Sequence, residues 1–110
     1  MKQYMVDSLR LEDYRKLEAI LKARYGVPLV GGVYWVPLPE TICSPLQLEH
    51  EECRPHVVAL DLEENRLCCE FLIRTRKAMH CGCMGYADTN QRGWIMDTVD
   101  ALLEEACVIV

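Results

Sequence analysis

The chain has 110 residues, 51% of them apolar and 26% charged, with a formal net charge of −5 at pH 7. That balance excludes a disordered or low-complexity chain, and the length suits one domain, residues 1–110, built on a single core. No apolar run nears the roughly 20 residues of a membrane helix, and an acidic surface disfavours a sequence-independent grip on nucleic acid.

The opening residues 1–7 lack the apolar stretch of a secretory signal and meet Asp7 early, so a cytoplasmic protein is expected. The first predicted element is a helix over about residues 9–25. Leu11, Tyr14, Leu17, Leu21 and Tyr25 fall within about 120° of arc at 100° per residue, an amphipathic stripe. Asp7 or Ser8 can cap it, and Gly26 with Pro28 ends it. Residues 27–39 read as extended, with Gly31-Gly32 as a tight turn and Val33-Tyr34-Trp35-Val36 as the better strand. The prolines at 28, 37 and 39 cannot donate to a ladder and place this segment at a sheet edge. Ser44-Pro45-Leu46-Gln47 has the form of a capping box with proline at the first helical position, predicting a short helix to about Glu52.

Residues 56–76 read as a hairpin turning at Glu64-Asn65. In that register Leu62 faces Leu67, Leu60 faces Cys69, Val58 faces Phe71, and Ile73 continues the same apolar face. The other face carries Asp61, Cys68, Glu70 and Arg74. The chain then turns near Arg76-Lys77 and returns as a strand over 78–86, weakened by Gly82 and Gly85. Asp88-Thr89-Asn90-Gln91 is a second capping box, opening a helix over about 90–105. Its apolar positions Ile95, Met96, Val99, Leu102, Leu103, Ala106 and Cys107 span about 140°, wider than one core contact requires. The resulting fold class is α+β: an antiparallel meander of three to four strands with N- and C-terminal helices packed on one face.

The seven cysteines, at 43, 53, 68, 69, 81, 83 and 107, are numerous for this length. Without a secretion signal they are expected reduced, which leaves metal ligation, redox chemistry or burial as small hydrophobes. Cys81 and Cys83, two apart on a strand, project to one face and can meet one ion. His50 and Cys53, three apart, share one side of the short helix. The four make a chemically coherent three-cysteine, one-histidine zinc site, for which Cys43 is a possible substitute. Cys81-Gly82-Cys83 also admits a redox reading, through a disulfide that would bend the strand at Gly82. His56 reads as a structural histidine beside a strand.

Two further features carry chemistry. Arg74, Arg76 and Lys77 at the hairpin tip can hold a phosphate or carboxylate, the sole support for an enzyme acting on a small anion. Trp94, off the main stripe of the last helix and near Ala101 and Val108, suits an interface. No nucleophile elbow, phosphate-cradling glycine loop or His-Glu-x-x-His motif is present. The leading expectation is therefore a non-enzymatic interaction module, a homo-oligomer or a partner-binding domain. A zinc-binding or thiol-regulated domain is the alternative.

Overall fold

The structure, a computed structural model, describes residues 2–109. The elements are β1 (Gln3–Val6), α1 (Leu11–Tyr25), β2 (Val33–Pro37), α2 (Pro45–Glu49), β3 (His56–Glu63), β4 (Arg66–Glu70), β5 (Leu72–Thr75), β6 (Gly85–Tyr86) and α3 (Thr89–Glu105), with 3-10 turns at Glu40–Ile42 and Glu51–Cys53. The fold is α+β with an antiparallel sheet, as the patterning implies. No helix among the described residues is long and apolar enough to cross a membrane.

β3 is the central strand. It pairs with β2 on one side, and with β4 and then β5 on the other. The pairs Leu62↔Leu67 and Leu60↔Cys69 are those expected. Beyond them the register changes: from Leu60↔Cys69 to Val57↔Arg74, β3 advances three residues and its partner five. The two surplus residues form a bulge around Phe71, so Val58 and Phe71 are not matched as expected. At the bulge Phe71 donates to the Lys2 carbonyl (3.0 Å) and accepts from the Ala87 amide (2.8 Å). Because the shift is an even number, the pleat keeps its sense and Ile73 and Thr75 still face inward. Ile73 is fully buried, and Phe71 is half-buried against the core.

The outer edge differs from the expected meander. β1, which the sequence reading did not assign, pairs along β4 from Gln3↔Glu70 to Val6↔Leu67. The return strand expected over 78–86 shrinks to Gly85–Tyr86, paired with Ile73 and Leu72. Residues 76–84 are instead a loop. Among the described residues the sheet thus has six strands rather than three or four.

α1 and α3 cover one face. Leu17 and Leu21 from α1 and Ile95, Val99, Leu102 and Leu103 from α3 join Val58, Leu60, Leu67 and Ile73 in one cluster. α1 starts two residues later than expected, capped by neither Asp7 nor Ser8. Ser8 takes a left-handed backbone (φ 59°) and the Leu9 amide donates to the Asn65 carbonyl at 2.9 Å, so Leu9 enters the core before the helix begins. Arg10 is the N-cap, and its backbone N–H donates to Asp13 at 3.1 Å. Both predicted capping boxes form, at Ser44 and at Asp88. Their glutamines interlock: the Gln91 side-chain amide donates to Gln47 Oε1 and to the Ile42 carbonyl, each at 3.0 Å. This fixes the start of α3 on the segment that carries His50 and Cys53.

The end of α3 also departs from the expected pattern. Cys107 adopts φ 57°, and the Val108 amide turns back to the Leu103 carbonyl at 2.9 Å. A left-handed residue after a helix reverses the chain. Val108 is consequently buried and Cys107 exposed, the reverse of the assignment made by extending the helix through them.

Candidate metal centre

Two irregular segments meet beyond the β5 end of the sheet. His50 ends α2, with φ −91° and ψ 64°, and the 3-10 turn Glu51–Cys53 carries the chain on toward β3. Across from it, the turn at Gly82-Cys83 is closed by the Met84 amide donating to the Cys81 carbonyl at 3.1 Å. Thr75 ties the first segment to the start of loop 76–84: its hydroxyl donates to the Cys53 carbonyl at 2.6 Å and accepts from the Lys77 amide at 3.2 Å.

These segments bring together His50, Cys53, Cys81 and Cys83, the four residues singled out by their spacing. Their ligating atoms all lie within 4.8 Å of one another. The Cys53 and Cys81 sulfurs are 3.7 Å apart, and Cys81 Sγ is 3.3 Å from His50 Nδ1. The local route differs from the expected one. Cys81 and Cys83 converge through a turn rather than along one face of a strand. His50 and Cys53 converge through a helix end and a 3-10 turn. Cys53 and Cys83 are buried, and His50 and Cys81 half-buried.

The electrostatics of the four are uneven. The Cys83 backbone N–H, which donates to the Cys81 sulfur, pulls the Cys81 thiol down to about 7; Cys83, Cys53 and His50 side-chain contacts act in the same sense. Burial pushes the Cys83 thiol up to about 12 and raises that of Cys53. One thiolate is thus favoured over three, and a cation among the sulfurs would displace the remaining thiol protons.

His56 was missed as a neighbour of this cluster. It is buried, and its Nε2 lies 3.3 Å from Cys83 Sγ. Burial, with Arg54 and His50 nearby, holds the imidazole below its ordinary range and therefore neutral. Its position three residues after Cys53, in step with inward-facing Val58 and Leu60, is the signal that could have marked it. His80 is exposed and stays outside the cluster, as does half-buried Cys43, whose sulfur is 3.6 Å from the Pro39 carbonyl. All seven cysteines are free thiols.

The other expected positions separate. Arg74 and Arg76 sit together on the sheet face opposite the helices, whereas Lys77 is exposed outside the hollow they line. Of the three interface residues, Trp94 is packed against the core, Val108 is in it, and Ala101 is exposed. No protein-family model matches the chain, and no curated protein or solved structure matches it either.

Proposed function

We propose that the chain is a non-enzymatic domain clasped by one zinc ion, held by His50 Nδ1 and the sulfurs of Cys53, Cys81 and Cys83. The observation that carries this reading is the gathering of four soft or borderline donors within 4.8 Å. Zinc–sulfur bonds of about 2.3 Å in a tetrahedron set sulfur–sulfur edges of about 3.8 Å. The 3.7 Å separation of Cys53 and Cys81 accords with that edge.

Three thiolates and an imidazole suit zinc better than a hard cation. Four protein donors complete a tetrahedron and leave no position for water or substrate, which is the arrangement of a structural site rather than a catalytic one. Its work would be mechanical. Residues 76–80 are all exposed, and the sulfurs of Cys81 and Cys83 are what the loop offers to the knuckle at 50–53. Zinc would fix that loop against the end of the sheet.

The test is metal content after purification without chelator, with cobalt substitution as its optical counterpart. One zinc per chain, and a cobalt form with intense tetrahedral bands and thiolate charge transfer, is the expected result. Absence of stoichiometric metal, or metal retained by the double variant Cys53→Ser/Cys83→Ser, would contradict the reading.

A further inference from the structure

The sheet face turned away from the helices carries a hollow of about 680 Å3, within the usual range of small-ligand pockets. Its floor is Ala59, the small residue of β3 opposite Trp35. One wall is Trp35 on the edge strand β2; the other is Glu70 and Arg74, on either side of the Phe71 bulge. In a straight strand those two Cα atoms would stand about 13 Å apart. Here Arg74 Nη2 reaches Glu70 Oε1 at 3.2 Å.

Loop 26–30 forms the rim beside the free edge of β2, and it is held at both ends. Gly26, at φ 85°, donates back to the Lys22 carbonyl at 3.0 Å, and the Val33 amide donates to the Val30 carbonyl at 3.1 Å. Next to that turn Gly32 lies so close to β3 that a Cβ there would collide with the Leu62 carbonyl oxygen. The loop nevertheless presents Val27, Leu29 and Val30 to solvent, at 74%, 89% and 74% exposure. Three large apolar side chains left outside a formed core, on the rim of a hollow, mark a surface suited to covering an apolar ligand.

The charge is as specific as the shape. Arg76 stacks over the Trp35 ring, its guanidinium carbon 5.6 Å from the centroid. Arg74, Arg76 and Glu70 line the hollow with one positive charge in excess; Asp61 shares the face but not the lining. A guanidinium on an aromatic face keeps its edge N–H groups available to a carboxylate.

We infer that this hollow binds a small organic acid: a monoanion with an aromatic or aliphatic body, the carboxylate at Arg74 and Arg76 and the body between Trp35 and loop 26–30. This site is separate from the zinc clasp and does not depend on it.

The probe pair is naphthaleneacetate and its neutral amide, titrated into the whole chain by calorimetry and followed by the two indole N–H resonances. Naphthaleneacetate should shift the Trp35 signal and leave Trp94 in place, and the amide should bind roughly tenfold to a hundredfold more weakly, as loss of a charged hydrogen bond implies. Arg76→Gln and Arg74→Gln should weaken the acid by a similar factor and leave the amide unchanged. Arg76 is exposed, so its variant decides the matter if Arg74→Gln disturbs the fold, which the Trp94 signal reports. The inference is overturned if neither compound shifts Trp35, if acid and amide bind alike, or if Arg76→Gln binds the acid as the parent does.

Discussion

The sulfurs of Cys53 and Cys81 lie 3.7 Å apart across 28 residues of sequence. One closes a 3-10 turn ahead of the central strand and the other opens a turn in the loop after β5, so the contact joins two segments that lack a shared ladder. Removing either thiol should therefore act on metal binding first. Changes behind a metal's ligands cost about 10–100-fold in affinity, so losing a ligand should cost at least about a hundredfold. Competition with a zinc-responsive dye should give that loss for Cys53→Ser and for Cys81→Ser. Cys43→Ser and Cys68→Ser should bind as the parent chain does.

Chelation should loosen the molecule locally. Cys53, Cys83 and His56 are buried but do not belong to the main core cluster, which is formed by the helices and the inner sheet face. Hydrogen exchange should accordingly speed up over 76–84 and 50–53 when zinc is removed, with the amides of Leu60, Ile95 and Val99 still protected. Uniform loss of protection would mean that the site supports the whole fold.

In the core, Ile73→Ala should cost about 2–5 kcal/mol, because the side chain is fully buried and packed on both helices' cluster. Phe71→Ala should cost less, since half-buried Phe71 sits on the bulge. Urea unfolding of the two variants measures the order; a larger effect at Phe71 would contradict the inward placement of Ile73.

Much of this arrangement was legible in the sequence, and the failures have identifiable causes. Alternation fixed the β3–β4 pairing because Leu60, Leu62, Leu67 and Cys69 have one consistent face. The same alternation hid the bulge, since a two-residue shift leaves Ile73 inward and produces no break in pattern. β1 was missed because its four residues alternate only between exposed and half-buried, and its hydrogen bonds go to a strand 61–67 residues away. The four residues of the candidate metal centre were identifiable from their chemistry and their pairing in sequence. Their backbone was not, because turns at His50 and Gly82 bring them together where helix and strand were expected. Val108 was misplaced for a similar reason: one left-handed residue, Cys107, reversed the chain.

Acid stability should depend on the start of α1. Asp13 accepts hydrogen bonds from the Arg10 side chain and from its backbone N–H, which hold its carboxyl below the ordinary carboxylate range. A carboxyl depressed in the folded state adds stability that is complete above its unfolded value, near pH 3.9, and that disappears as pH falls through the folded value. Asp13→Asn should thus melt below the parent at neutral pH, and the two curves should converge as the pH drops through that window. A difference that persisted at the acid end would point to something other than this carboxylate.

X-ray absorption at the zinc edge tests the zinc clasp most directly. The clasp predicts three sulfur neighbours at about 2.3 Å and one nitrogen at about 2.0–2.1 Å, with no oxygen in the first shell. A shell containing oxygen, fewer than three sulfurs, or a spectrum unchanged by Cys53→Ser would contradict it.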